Sequence, residues 1–186
     1  MSYAESITQI NALRSQIRDL HGQMRTLQAG IAPQPVDDYK FEGPNGSVRL
    51  ASLFGDQDTL IVIHNMGTGC NYCSLWADGF NGLTDQLESR AAFVVTSPDA
   101  PAAQAKIADK RGWRFRLVSH AGNSFAADMG YTGERGMQPG VSVFKQEGDQ
   151  IVRVADASFG PGDDFCALWH LFDLLPEGAD GWQPLK

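Results

Sequence analysis

Two cysteines three residues apart, Cys70 and Cys73, stand where an apolar strand-like run gives way to a helical stripe, and that junction limits the folds open to the chain. The run Leu60-Ile61-Val62-Ile63-His64 has the length of a buried strand, and Met66-Gly67-Thr68-Gly69 supplies a turn. Residues 71–89 then repeat at helical spacing, with Cys73, Trp76, Phe80, Leu83 and Leu87 on one face. The alternation continues downstream with a strand at 92–96, a helix at 102–110 and a short strand at 115–118. A hairpin follows, 141–145 and 151–155 across 146–150, and a last helix spans about 163–175 before Pro176. Upstream, Tyr39-Lys40-Phe41, the Gly43-Pro44-Asn45-Gly46 turn and Val48-Arg49-Leu50 read as another hairpin. The expected class is α/β, with a central mixed sheet and helices on both of its faces.

Residues 1–30 form a unit of their own. Ser2 and Glu5 make a capping box, Gly30 and Pro33 give the stop, and Tyr3, Ile10, Leu13, Ile17, Leu20, Met24 and Leu27 fall on a and d positions of a heptad. Such a narrow stripe suits either packing on the chain's own domain or a dimerisation arm crossing a second chain. Residues 31–37, with Pro33 and Pro35, read as a linker, and 38–186 as the main domain.

With 42% apolar residues in 186, the chain holds enough for a real core. A net charge of -7 argues against a nucleic-acid footprint and against an anionic membrane surface. No apolar run is long enough to span a bilayer, and Met1–Ile7 lacks the basic and apolar regions of a signal peptide. Three cysteines, two of them as C-x-x-C, fit a redox or metal pair in a reducing compartment, so the expected location is the cytoplasm.

The chemistry should sit at that pair. A helix N-terminus stabilises a thiolate, which makes Cys70 the attacking sulfur and Cys73 the resolving one. Trp76 falls on the buried face of its helix, where core packing is its role. Asp78 points off that face and either pairs locally or lines the approach to Cys70. Cys166 and His170, spaced i, i+4, could complete a Cys3His zinc site with the dithiol, although Cys166 reads more simply as a small core residue and no cofactor or metal is expected.

Strand, turn, C-x-x-C and helix together resemble the thioredoxin superfamily. In that fold a cis-proline precedes a strand and lies against the first cysteine; Gln138-Pro139-Gly140-Val141-Ser142-Val143-Phe144-Lys145 looks like this element, which implies that Gln138 and Pro139 position a substrate. His64 stands six residues before Cys70, where thioredoxins carry a buried acid, and is either a proton carrier or a core histidine. Phe93-Val94-Val95-Thr96-Ser97-Pro98-Asp99, with Gly112-Trp113-Arg114-Phe115 and Ser119-His120-Ala121-Gly122, resembles the strand–helix–strand insertion of peroxiredoxins. Those enzymes place a threonine three residues before the reactive cysteine, where this chain has Gly67; Thr68 is one position late.

The segment Gly69-Cys70-x-x-Cys73-Ser74-x-Trp76-Ala77-Asp78-Gly79-Phe80-Asn81-Gly82 resembles a family of bacterial thioredoxin-like proteins of unknown function. The likeness extends over about residues 36 to 178. It implies a thioredoxin-like fold, to which the peroxiredoxin-like middle and the separate N-terminal helical arm of residues 1–30 are added. It also implies a redox role, read here as that of a thiol-disulfide oxidoreductase using Cys70 and Cys73, with His64, Tyr72, Trp76 and Asp78 as candidate accessory residues. A peroxiredoxin-like thiol peroxidase and a non-catalytic redox-sensing module are the alternatives. The expected partners are a disulfide-containing protein, a small thiol or a peroxide as substrate, a cellular thiol reductant, and a second copy in a homodimer.

Overall fold

The computed structural model describes residues 1–134 and 136–185, so Lys186, the last residue of the expected main domain, lies outside it. Two compact units emerge, Met1–Pro33 and a second beginning at Gln34. The first is one helix, α1 (Tyr3–Ala29), whose Ser2 side chain accepts from the Glu5 amide while the Glu5 carboxylate accepts from the Ser2 amide. None of its residues is buried.

The second unit begins with β1 (Gln34–Val36), β2 (Lys40–Gly43), β3 (Gly46–Arg49) and α2 (Leu50–Leu53). It continues with β4 (Thr59–His64), α3 (Asn71–Glu88), β5 (Ala92–Ser97), α4 (Pro101–Arg111), β6 (Arg116–Ser119) and α5 (Phe125–Asp128). The small hairpin of β7 (Thr132–Gly133) and β8 (Gly136–Met137) precedes β9 (Gly140–Glu147), β10 (Gln150–Ser158) and α6 (Ala167–Phe172). The main sheet has the order β1-β10-β9-β4-β5-β6-β2-β3. Strands β4, β5 and β6 are parallel and adjacent in chain order, so right-handed crossovers carry α3 and α4 over the same face. Strand β9 runs antiparallel to β4, and the sheet is therefore mixed.

Side chains alternate across the central strands as a pleat requires. Leu60 and Val62 of β4 and Val94 of β5 enter one core with Phe41, Leu50, Phe54, Phe125 and Phe144. Ile63 of β4 with Phe93 and Val95 of β5 enter the other, against Trp76, Ala77 and Phe80 of α3 and Trp169 of α6. Among the described residues no helix is long and apolar enough to cross a membrane.

Three sequence expectations are corrected here. The segment read as a linker contains β1, which pairs antiparallel with β10; its proline is tolerated because β1 is an edge strand. The last helix is shorter than 163–175. Asp163 instead accepts from the Gly160 and Phe165 amides in a turn, and Cys166 begins α6. On α3 the deepest face is Cys73, Trp76, Ala77, Phe80 and Thr84, while Leu83 is exposed, because a straight helix drifts off a seven-residue repeat.

Gly140 starts β9 beneath the ring of Tyr131, whose hydroxyl donates to the carbonyls of Val141 and Ala157. A methyl group there would overlap the Tyr131 ring and stand 2.6 Å from the Ala157 carbonyl oxygen. Gly140→Ala should cost about 1–3 kcal/mol as an overpacking change, seen as a lower urea midpoint with an unchanged slope.

Candidate functional site

The site is built at the end of the sheet where β4 stops. The Asn65 amide continues the ladder for one bond to Thr96, and the Asn65 side chain accepts from the Gly67 amide at 2.8 Å. Gly67 has φ +109°, a left-handed conformation suited to glycine, and a Cβ there would meet Asp99 Oδ2 at 2.9 Å. Asp99 lies just past β5 and holds this loop. Its carboxylate accepts from the Thr68 amide at 2.8 Å, the Thr68 hydroxyl at 3.2 Å and the Ser97 hydroxyl at 3.0 Å. Gln104 of α4 secures Ser97 in turn, donating to its hydroxyl and to the Val118 carbonyl. The Cys70 amide closes the turn onto the Gly67 carbonyl.

Held this way, Cys70 is the N-cap of α3, and its Sγ accepts from the Cys73 amide at 3.1 Å. Both thiols are free, with Cys70 partly exposed and Cys73 buried. A hydrogen bond from the Cys73 thiol, together with the Cys73 and Tyr72 backbone amides, brings the Cys70 pKa down to about 7 against the opposing effect of burial. The same thiol–sulfur bond and then burial push Cys73 strongly upward. The result is one accessible thiolate backed by one protonated thiol on the next turn of helix.

The other sequence candidates surround this pair in different ways. Tyr72 and Trp76 pack on Trp169 of α6, and the Tyr72 hydroxyl donates to Gln183 at 3.1 Å. The C-terminal segment thus covers the first turns of α3. Trp76 is buried, and its indole N–H reaches Asp163 at 3.4 Å. Asp78 accepts from Arg111 and from the Trp113 indole, both at 2.7 Å, and so ties α3 to the end of α4.

Gln138 and Pro139 lie at the end of the sheet where β4 stops, because Gly140 is in register with His64 and β9 runs antiparallel to β4. No cis peptide occurs among the described residues, so the cis form expected of Pro139 is absent. With the trans bond the Gln138 amide donates to the Tyr131 carbonyl and the Pro139 carbonyl accepts from the Phe159 amide, which satisfies the backbone on both sides. His64 is buried between the rings of Phe125 and Tyr131, with Nε2 2.9 Å from the Ser142 hydroxyl. Burial first, then the positive potential of His120 and Arg153, lowers its pKa to about 3, so the ring stays neutral near neutral pH. Among the described residues no three His, Cys, Asp or Glu side chains converge as a metal site, so Cys166 and His170 do not join the dithiol. Cys166 packs instead with Trp76, Phe159 and Trp169.

Asp99 is the residue that sequence reasoning passed over. It stands in the strand-end segment Ser97-Pro98-Asp99, but only the parallel pairing of β4 and β5 reveals that this segment ends beside the cysteine loop.

The family model described as a bacterial protein of unknown function, DUF899, matches residues 13–183. A comparison with curated proteins finds no match. Among solved structures the fold is similar to the peroxidoxin BcpB of Mycobacterium tuberculosis, at 27% identity and TM-score 0.55, over 68% of this chain and 84% of that one. It is also similar to a cysteine-to-serine mutant of Xanthomonas campestris peroxiredoxin Q, at 17% identity and TM-score 0.55, over 65% and 80% of the two chains. A third similar structure is reduced Prx3 of Vibrio vulnificus in complex with H2O2, at 15% identity and TM-score 0.55, over 72% and 88%. Architecture and neighbours together establish a thioredoxin-like fold of the peroxiredoxin type.

Two measurements probe this geometry. Alkylation of Cys70 by iodoacetamide should rise with pH about a midpoint near 7, and Cys73→Ala should move that midpoint upward because the largest stabilising bond to the thiolate is gone. The second concerns His64, which binds a proton near 6.5 when unfolded and only near 3 when folded. The unfolded chain therefore takes up more protons as pH falls below 6.5, and stability drops toward pH 3. Urea unfolding of His64→Gln should show a shallower loss across that window than the parent chain.

Proposed function

Because the chain belongs to the DUF899 family of bacterial proteins, its activity has to come from the site itself, and we propose that it is a thiol peroxidase working through the Cys70-x-x-Cys73 dithiol. The observation that supports this reading best is the Cys70 sulfur, capping α3 as a stabilised and partly exposed thiolate on a fold similar to peroxiredoxins.

In this scheme the Cys70 thiolate attacks one oxygen of a small peroxide. The O–O bond breaks, Cys70 becomes a sulfenic acid, and the departing alkoxide or hydroxide leaves as an alcohol or water after taking a proton. Cys73 then attacks the Cys70 sulfur. Its S–H proton departs with the displaced hydroxide as water, and a Cys70–Cys73 disulfide remains. A cellular thiol reductant returns the pair to the dithiol at the cost of two electrons. The raised Cys73 pKa suits this order of events, since the second thiol holds its proton until the sulfenic acid offers a leaving group. Gln138 and Pro139, at the same end of the sheet, are proposed to flank the incoming substrate. Tyr72 and Trp76 support the helix that carries both sulfurs.

One observation favours a second reading, thiol-disulfide exchange with a protein or small-molecule disulfide. The resolving thiol lies on the next turn of the same helix, its amide already bonded to the Cys70 sulfur, so a mixed disulfide on Cys70 could be resolved without any movement of α3.

Rapid-mixing peroxide consumption by the reduced protein decides between them. Cys70→Ser should lower the rate constant by at least roughly a thousandfold, as loss of a nucleophile does. Cys73→Ser should keep one fast turnover and leave a sulfenic acid that dimedone traps. A wild-type chain inert to peroxide that accelerates insulin disulfide reduction would replace the peroxidase reading with the second one.

A further inference from the structure

The helix α1 has 27 residues and buries none of them. Its apolar side chains Tyr3, Ile10, Leu13, Ile17, Leu20, Met24 and Leu27 are between 41% and 83% exposed, although they share one seam. The helix is about 40 Å long, and an apolar seam of that length is one that a facing helix covers.

The side chains on that seam say which partner fits. The a positions are Tyr3, Ile10, Ile17 and Met24, and the d positions are Ser6, Leu13, Leu20 and Leu27. β-Branched residues at a with leucine at d favour two parallel strands over three or four. The flanking charges select the same orientation. In a parallel, in-register pair the g residues Gln9, Gln16 and Gln23 face Arg14, His21 and Gln28 at e of the second helix, so no like charges meet. In an antiparallel pair with Ile10 over Leu20, the two Arg14 side chains would flank the same central layer. The remaining charges, Glu5, Arg18, Asp19 and Arg25, occupy the outward b and c positions.

We propose that α1 is the self-association element of this protein, pairing with α1 of a second copy as a parallel two-stranded coiled coil. Both chains leave such a coil at its C-terminal end, so the two dithiol domains emerge from the same end. The inference rests on the helix alone and is independent of the proposed chemistry.

Light scattering of the full, reduced chain at micromolar concentration should give twice the chain mass of 20.2 kDa. The double variant Leu13→Asp, Leu20→Asp should give the single mass and keep the Cys70 alkylation rate of the parent. Orientation is read by oxidative cross-linking in a Cys70→Ser, Cys73→Ser background. Ser6→Cys at a d position should yield an interchain disulfide, whereas Asn11→Cys on the outer face should not. A monomeric parent chain, a dimer that survives the double substitution, or a mass of three or four chains would overturn the proposal. So would a dimer in which Ser6→Cys pairs only with Met24→Cys.

Discussion

A sulfur atom takes the place that a serine or aspartate oxygen holds at many helix starts. Cys70 caps α3 through its Sγ, and the bond from the Cys73 amide is at once a structural cap and, after the Cys73 thiol, one of the donors that lower its pKa. Folding and reactivity are therefore one interaction viewed twice. Any change that loosened the first turn of α3 would lose the cap and return the thiol toward its ordinary pKa. The second sulfur strengthens the arrangement, because the proton it donates to Cys70 is the proton it cannot itself release.

That interaction depends on a loop of a few residues being held in one shape. The loop is fixed from β5 rather than from its own strand. Asp99 gathers the Thr68 amide, the Thr68 hydroxyl and the Ser97 hydroxyl, and Gly67 gives up a side chain so that the carboxylate can approach. The carboxylate works by geometry here, satisfying donors that would otherwise have to be met by water in a turn packed against the sheet. Behind the loop, the neutral ring of His64 fills the place where a thioredoxin carries a buried acid. It lends the dithiol no charge and instead stacks on Tyr131, the residue that fixes the start of β9.

The sequence carried the architecture well where periodicity was strong. The strand of Leu60 to His64, the helix opening at the cysteines and the two strands that follow could be read because each keeps one period over a full element. Proline made β1 look like a linker, since a pairing partner more than a hundred residues away leaves no local trace. Leu83 was assigned to the core in place of Thr84 because leucine is apolar, yet the helix turns by 3.6 residues and brings the threonine inward with its hydroxyl bonded to the Phe80 carbonyl. Asp99 and the packing of α6 over Tyr72 arise from tertiary pairing, which no local pattern encodes. The sulfurs could be read from their spacing alone, and the clamp that positions them could not.

The Pro-containing strand at the sheet margin bears on how such a protein survives at high concentration. A mixed sheet of this width has two open flanks, and an open flank invites strand addition from any neighbouring chain. Here one flank ends in the three residues of β1, where Pro35 has no N–H to offer, and the other in the four residues of β3. Both margins are too short, and one is chemically too poor in donors, to template a growing aggregate. The apolar side chains of α1 are thus exposed on a chain whose sheet margins offer little to unspecific strand pairing.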